Sequence, residues 1–458
     1  MMPHDSEARV YTGTFVDCPS VGELRILRDH LLEVDNEGNI SHFGPVPIHE
    51  RNTPAADALA IENGSFFIPT FCDLHLHAPQ YLYQGTGLHL PLMEWLDQYA
   101  FKAEERIDSD HALAERVYTK LASRLLENGT GSVLLFGTIK EETNLILARC
   151  MQLAGIRAFI GKLSMDQSSR ATYVEASTQD ALSSAKSFAE RCRNMVSSLP
   201  VHERLIEPVL TPRFVPTCSD ELLSCLGNLA ESSSLRIQSH LAEARDQVDW
   251  VKKERGVDDI DVFDKNKLLT PRTVQAHCTF LQGDGLQTLR DRGTAVAHCP
   301  LSNTYFSSQM FCLREALDIG VSVGLGTDIA GGYSLDIMNA MRSAVVVSRI
   351  REGERVENRR GGSALSIDWK TALYLATRGG AVALNLPEGS GMFTVGAPFD
   401  AQLIRAFDSS GKDAVGPLDF FPEDLGSRVV TEEVIEKWWC LGDARNRKGV
   451  WVQGRQRV

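Results

Sequence analysis

The chain has 458 residues, of which 43% are hydrophobic and 23% charged, so it has enough apolar material for a large core. Its 47 Lys and Arg residues stand against 60 Asp and Glu residues, a net charge of −13. Because nucleic acids and anionic membranes attract basic surfaces, neither is an expected partner.

Several features predict a cytoplasmic location. The ten cysteines are scattered and form no CxxC pair, which predicts reduced thiols rather than a disulfide framework or a thiolate metal cluster. The N-terminal residues have no basic stretch followed by an apolar run, so no secretory signal is predicted. The apolar runs are far shorter than the roughly 20 residues of a membrane-spanning helix.

The two ends of the chain have the pattern of short β-strands. The segments LRILRDHLLEV and NISHFG are separated by the turn-rich DNEGN and predict a hairpin, and residues 391–407 and 448–458 look similar. Neither end alone has enough strands for a stable sheet. Residues 1–65 and 386–458 are therefore predicted to combine into one small β-sandwich domain beside a barrel.

From residue 66 onward, short apolar runs alternate with longer amphipathic stretches. The runs are 66–77, 132–137, 156–165, 205–214, 235–243, 274–281, 295–303 and 321–330. Between the first two runs, Leu113, Val117, Leu121 and Leu125 recur every four residues and Gly129 offers a stop, which predicts a helix. Eight strands, each followed by a helix, predict a (β/α)₈ barrel over residues 66–385. A doubly wound sheet is the alternative, but no GxGxxG turn follows an early strand.

Four residues at predicted strand ends form a candidate metal site, because barrel enzymes carry their reactive groups at the carboxyl ends of the strands. His75 and His77 end the first run two residues apart, so both imidazoles face the same side. His240 lies at the end of the fifth run and Asp328 at the end of the eighth. Three imidazoles and a carboxylate suit a catalytic zinc ion with an open position.

Other polar residues at strand ends are candidates for proton transfer and recognition. His277 lies at the predicted end of strand six, and Glu243 follows His240 by three residues, where it can exchange a proton with a water at the metal. Gln80 and Arg213 are placed to bind the polar edge of a substrate by paired hydrogen bonds.

Three residues of the same segments are expected to be structural. His298 lies at the predicted end of strand seven, but four ligands and a water already saturate a zinc ion. Cys278 and Cys299 directly follow histidines, so strand alternation turns them away from the barrel mouth and toward the core.

Several strings carry a family resemblance: PTFCDLHLHAPQY, LPLMEWLDQYAF, KLSMD, TPRF, QSHLAE, the AHC after strand six, AHCPLSN and GLGTDIAGGYS. Together they resemble the amidohydrolase superfamily over nearly the full chain, and within it the branch that deaminates guanine. The HxH and TD strings are general to the superfamily, whereas HAPQY, LMEWL and TPRF are specific to the branch.

The resemblance implies hydrolysis of guanine to xanthine and ammonia by a homodimer. It implies zinc bound by His75, His77, His240 and Asp328, and catalytic roles for Glu243, Asp328 and His277. The substrate-binding residues it implies are His77, Gln80, Arg213, Phe214, His240, Glu243, His277 and Asp328. Two-metal relatives carry a bridging carboxylated lysine on strand four, where this chain has none, since Lys162 lies on predicted strand three. One zinc ion per chain is therefore expected.

Two other functions remain open from the sequence. The metal-ligand and Glu243 pattern also fits deamination of another heterocycle, such as an oxidised guanine, cytosine or a triazine. A non-catalytic scaffold of the same fold is the second alternative, but all ligand positions are intact. The HxE and PCxxC signature of cytidine-type zinc deaminases is absent.

Overall fold

The computed structural model describes residues 9–47, 58–358, 361–410 and 412–458. The strands are β1 (Arg9–Asp17), β2 (Arg25–Val34), β3 (Ile40–Pro45), β4 (Ala58–Ala60), β5 (Ser65–Pro69), β6 (Phe71–His77), β7 (Thr130–Phe136), β8 (Arg157–Ser164), β9 (Ile206–Pro212), β10 (Arg236–Leu241), β11 (Thr273–His277), β12 (Ala295–His298), β13 (Val323–Leu325), β14 (Ala401–Arg405), β15 (Arg447–Val452) and β16 (Arg455–Gln456).

The helices alternate with the central strands. They are α1 (Leu92–Trp95), α2 (Phe101–Ser109), α3 (His111–Glu127), α4 (Glu141–Ala154), α5 (Thr178–Val196), α6 (Asp220–Ser233), α7 (Arg245–Arg255), α8 (Asp259–Lys265), α9 (Gly283–Arg292), α10 (Pro300–Phe306), α11 (Leu313–Asp318), α12 (Ile337–Glu357), α13 (Trp369–Tyr374), α14 (Gly380–Ala383), α15 (Pro422–Ser427) and α16 (Glu432–Leu441). Single 3₁₀ turns lie at Ala78–Tyr83, Val201–Glu203, Val215–Thr217 and Ala444–Asn446, and π-helical turns at Leu96–Ala100 and Leu375–Gly379.

Strands β6 to β13 form a parallel sheet in sequential order. Two main-chain hydrogen bonds join its first strand to the segment after its last one. The Asp328 N–H donates to the His75 carbonyl at 2.8 Å, and the His77 N–H donates to the Ile329 carbonyl at 2.7 Å. The sheet is thus a nearly closed barrel, and the (β/α)₈ prediction is confirmed; a doubly wound sheet would instead keep two separate edges.

The ends of the chain build a second sheet, with strand order β16-β15-β14-β5-β1-β2-β3 and β4 beside β1. The antiparallel pair of β5 and β14 joins the N-terminal to the C-terminal strands. The sheet curls around aromatic side chains, with the Phe67 and Trp451 ring centroids 5.4 Å apart and those of Phe15 and Phe43 5.3 Å apart. The predicted β domain from both ends is therefore confirmed. Its bounds at residues 65 and 385 stay a prediction, and part of its N-terminal segment, residues 48–57, lies outside the described residues.

The apolar run 66–77, predicted as one strand, is two strands in different sheets. Strand β5 belongs to the β domain and β6 to the barrel, and Thr70 lies between them, its N–H donating to the Asp400 carbonyl at 3.1 Å. Every residue of both strands is buried. Because each strand is covered on both faces, the hydrophobic pattern does not change where the chain passes from one sheet to the other.

Helix α3 follows the predicted four-residue period. The Asp110 carboxylate accepts a hydrogen bond from the Leu113 N–H and so caps the first turn. Leu121 and Leu125 are fully buried, and burial of each side chain contributes about 1.5–3 kcal/mol. Gly129 has φ +79°, a left-handed conformation that ends the helical path. The helix prediction is confirmed.

Helix α12 is the longest of the described helices at 21 residues. Its C-terminal half is dense in Arg and Glu. No helix in the described part of the chain combines the length and the apolar character needed to cross a bilayer.

Candidate active site

Four buried histidines from three strands meet at the carboxyl end of the barrel. His75 and His77 lie on β6, His240 on β10 and His277 at the end of β11. The Nε2 atoms of His77 and His240 lie 3.0 Å apart. Ligand atoms lie within 4.8 Å of one another in three sets: His75 with His77 and His240, His75 with His277 and Asp328, and His240 with Glu243 and His277.

Asp328, three residues beyond β13, completes this group. Its Oδ1 atom lies 3.2 Å from His75 Nε2 and 3.7 Å from His77 Nε2. The Asp328 backbone has φ +52°, a left-handed conformation that non-glycine residues rarely adopt. The structure therefore brings together the four residues predicted as metal ligands.

The electrostatics of the cluster favour neutral imidazoles. Burial, followed by the neighbouring histidines, lowers the pKa of His75, His77 and His240 well below the usual histidine range. The Nδ1 atom of His240 lies 2.6 Å from the Arg213 carbonyl, to which it donates, so its Nε2 is left as an electron-pair donor. Neutral imidazole nitrogen is the form that binds a metal ion.

The cluster also contains buried nitrogen atoms without hydrogen-bond partners, a property that suits a metal ion. The Nε2 atoms of His75 and His277 are buried and have no hydrogen-bond partner in the structure. Buried polar atoms without partners are costly, and a cation among three nitrogens and a carboxylate oxygen removes that cost. The donor set of imidazole and carboxylate groups suits a divalent transition-metal ion.

Glu243 and His277 form a pair beside the metal ligands. The His277 Nε2 atom lies 3.5 Å from Glu243 Oε1 and 3.9 Å from Asp328 Oδ2. Burial, and then the charge of Asp328, raises the pKa of Glu243 well above the usual glutamate range. The carboxyl group of Glu243 is therefore suited to carry a proton at neutral pH.

The main chain around Glu243 is held by Thr279. The Thr279 hydroxyl donates to the carbonyls of Ala242 at 2.8 Å and Glu243 at 2.7 Å. The Glu243 N–H donates to the Gln247 side-chain oxygen at 3.3 Å. Ala242, with φ +47°, turns the chain sharply after β10. These contacts fix the Glu243 main chain next to the metal ligands.

A cavity with an empty volume of about 360 Å³ opens onto this cluster. It is lined by His77, Gln80, Leu92, Trp95, Leu96, Arg213, Phe214, His240, Glu243, Phe306, Asp328 and Gly331. All the residues predicted to bind substrate line it, except His277. Its apolar wall includes Trp95 and Phe306, which pack on each other with ring centroids 5.3 Å apart. An apolar wall with a few polar groups beside it is the kind of lining that binds a flat heterocycle, and the polar groups set its orientation.

Among the polar lining residues, the predicted recognition residues Gln80 and Arg213 share one carboxylate. Glu104 on α2 accepts from Gln80 Nε2 at 2.8 Å and from both terminal nitrogens of Arg213, at 2.7 and 3.0 Å. Burial lowers the pKa of Arg213, but Glu104 outweighs it and the net pKa is raised, so the guanidinium stays charged.

Residues expected to be structural lie outside the ligand groups. His298 is buried against the Phe311 ring, and burial lowers its pKa to about 3. Cys278 and Cys299 are fully buried, as predicted. Lys162 lies on β8, the third barrel strand, with its Nζ 2.5 Å from Glu175 Oε1 and 2.8 Å from the Leu163 carbonyl. Its ammonium group is thus engaged in an ion pair.

The sequence analysis did not single out three polar residues that support the site. Asp73 accepts from the Thr327 hydroxyl at 2.6 Å, Glu104 binds the recognition residues, and Asn303 contacts His277. Asp73 precedes His75 by two residues, and Glu104 is a carboxylate on the buried face of an amphipathic helix. A charged residue at an apolar helical position is a signal that points to a buried partner.

The barrel, the histidine cluster and the adjoining cavity define a hydrolase of the amidohydrolase type. The family model described as "Amidohydrolase family" matches residues 66–457, and the chain belongs to this family. Two relatives have a more specific name than the family. The guanine deaminase of Mus musculus is 37% identical over 460 residues, 98% of this chain and 97% of that protein. The guanine deaminase of Dictyostelium discoideum is 34% identical over 100% of this chain and 99% of the relative.

A solved structure agrees with these relatives. The guanine deaminase from C. acetobutylicum, crystallised with guanine bound in its active site, matches the fold with a TM-score of 0.85 and 27% identity. The match covers 98% of this chain and 100% of that structure.

Proposed function

We propose that the chain catalyses the hydrolytic deamination of guanine to xanthine and ammonia. One observation carries the proposal: a single cavity is lined both by members of the metal-ligand cluster, His77, His240 and Asp328, and by two buried hydrogen-bond donors, Gln80 and Arg213. The full-length relatives named guanine deaminase, one of them with bound guanine, support the choice of substrate.

His75, His77, His240 and Asp328 would hold one zinc ion. When bound, that ion supplies Lewis-acid activation of water, so that hydroxide is available near neutral pH. The expectation of one ion rests on the absence of a lysine from β9 and on the ion pair that engages Lys162. The resemblance to relatives also leads us to propose a homodimer, a cytoplasmic location and domain bounds at residues 65 and 385.

The proton transfers are assigned to Glu243 and Asp328. Glu243 and Asp328 accept the two protons of the attacking water, and Glu243 passes one of them to the ring nitrogen next to C2, which makes that carbon electrophilic. Asp328 or Glu243 then returns a proton to the leaving amine, so guanine and water give xanthine and ammonia with all protons accounted for. His277 Nε2, 3.5 Å from Glu243, orients the water by accepting a hydrogen bond from it, and it stabilises the developing oxyanion once it has taken up a proton.

Gln80, Arg213 and the main chain at Phe214 bind the O6 and ring-nitrogen edge of guanine. Buried donors that pair with a carbonyl are left unpaired when the substrate carries an amine there. Adenine is therefore expected to be a poor substrate. Comparable turnover of adenine and guanine would contradict this assignment.

The test is ammonia release from a panel of bases by the purified protein, with and without a chelator. The panel includes guanine, 8-oxoguanine, cytosine, adenine and a triazine. We expect turnover of guanine that the chelator abolishes and zinc restores. Preferred turnover of cytosine, a triazine or the oxidised base would replace the substrate assignment. Absence of bound metal and of all turnover would indicate a scaffold instead.

A further inference from the structure

Glu104 is a fully buried carboxylate with no place in the mechanism above. It lies on α2, in the segment that covers one side of the cavity, and its side chain has no solvent exposure. Its side chain accepts hydrogen bonds from Gln80 and from both terminal nitrogens of Arg213, and the buried Tyr173 hydroxyl also interacts with it. A buried charge is retained only when partners compensate it, and here the partners include both proposed recognition residues.

The contact with Arg213 fixes the plane of the guanidinium group. Both terminal nitrogens bind the two carboxylate oxygens, at 2.7 and 3.0 Å, in the paired geometry that holds an arginine most rigidly. The Phe101 ring, one turn before Glu104 on the same helix, lies 4.9 Å from the guanidinium carbon. One helix therefore supplies both the counter-charge and a supporting ring.

The contact with Gln80 fixes the orientation of its side-chain amide. Gln80 Nε2 donates to Glu104 at 2.8 Å, and Gln80 Oε1 accepts from the Ala330 N–H at 3.4 Å. A carboxylate accepts only, so it excludes the flipped amide, whose oxygen would face Glu104. The amide oxygen and the second N–H of Gln80 therefore each have a fixed direction.

We propose that Glu104 is a positioning residue that sets the base selectivity of this site by holding Gln80 and Arg213 in one donor and acceptor pattern. The inference rests on the proposed function. It assigns to Glu104 a role in binding a neutral base rather than in the chemical step, because its carboxylate contacts Gln80 and Arg213 and is absent from the metal-ligand groups of the described residues.

The test is Glu104→Gln, which keeps the shape of the side chain and removes its charge. We expect KM for guanine to rise about 10- to 100-fold, the range of a lost charge-assisted hydrogen bond, with kcat changed less than about threefold and zinc content unchanged. The ratio of kcat/KM for guanine over adenine should fall by a similar factor. The matched control is Glu105→Gln, the next residue, which forms a partly exposed ion pair with Arg170 and should leave all values unchanged.

A second variant tests whether Glu104 acts through its partners. In an Arg213→Gln background, Glu104→Gln should raise KM by less than about threefold, because the charge it balances is gone. If Glu104→Gln does not fold, Glu104→Asp, which keeps the charge but withdraws it from Gln80 and Arg213, decides the question by the same KM and selectivity measurements. A loss in kcat with KM unchanged, a loss of zinc, or a full additional effect in the Arg213→Gln background would each overturn the proposal.

The proposed function can fail separately. If the wild type releases ammonia from another base and not from guanine, the kinetic comparisons are made with that base. Glu104 is then tested as a positioning residue on the true substrate.

Discussion

The Nδ1 atom of His277 lies 2.9 Å from the side-chain oxygen of Asn303. An amide oxygen only accepts, so Nδ1 carries the proton and Nε2 presents its electron pair to Glu243 and Asp328. Asn303 is buried on α10, immediately after β12. This contact decides the tautomer and the ring orientation of a proposed catalytic residue.

Replacing Asn303 by Leu removes the acceptor at similar volume. We expect kcat to fall about 10- to 100-fold, as for other partners that orient active-site histidines, while zinc is retained. Steady-state kinetics and metal analysis measure both effects. Asn144→Ala removes another buried amide, one that bonds Thr138, and should lower stability without lowering kcat. An unchanged kcat in Asn303→Leu would remove Asn303 from this role.

Glu243→Gln keeps the size of the side chain and removes its proton transfer. We expect kcat to fall by at least about 10²-fold with zinc still bound, because general acid and base catalysis contributes that much. Single-turnover rates and metal content check the two parts. Glu207→Gln, at a partly exposed ion pair with Arg236, is the control and should leave kcat and zinc content unchanged. Near-normal rates in Glu243→Gln would exclude the assignment.

The Asp73 carboxylate links β6, which carries His75 and His77, to the segment after β13, which carries Asp328. This carboxylate accepts from the Thr327 N–H at 3.0 Å, the Thr327 hydroxyl at 2.6 Å and the His75 N–H at 3.2 Å. For Asp73→Asn we expect zinc affinity to fall about 10- to 100-fold, measured by competition with a chelator. Thr327→Val removes one of the three bonds and should cause a smaller loss. Equal zinc affinity in wild type and Asp73→Asn would contradict a role at the metal.

Asp108 gives a pH dependence of stability that is independent of the metal. Burial raises its pKa to about 6 in the folded chain, against about 3.9 in an unfolded one. From pH 4 to pH 6 the unfolded chain loses this proton first, so the group lowers stability as pH rises, and the loss is complete above pH 6.

Asp108→Asn removes that loss. The free energy of unfolding of the variant relative to wild type should increase by up to about 3 kcal/mol between pH 4 and pH 7.5, from about two pKa units. Chemical denaturation of both metal-free proteins measures the difference. Asp110→Asn, at an exposed helix cap, should show no such increase. A relative stability that is constant over this range would contradict the raised pKa.

The local elements were predictable where one physical pattern dominates. The four-residue period of α3 and the hairpin of β2 and β3 follow from patterns within single segments. The split of the run 66–77 was not predictable, because both of its strands are buried on both faces and leave the same hydrophobic signal. The pairing of β5 with β14 was predicted only from the need of each end for more strands.

The amino-acid sequence by itself determined that His75, His77, His240 and Asp328 lie at or just beyond the carboxyl ends of barrel strands, because each lies toward the end of an apolar run and reactive groups of a barrel gather there. Only the tertiary structure decided which side chains support them. Glu104 lies 24 residues from Gln80 and 109 from Arg213, and Asp73 lies 254 residues from Thr327. Such contacts depend on how helices and strands pack, and no spacing along the chain encodes them. The residues proposed to hold the metal can thus be predicted from the sequence, whereas the hydrogen-bond network that orients the site depends on the tertiary structure.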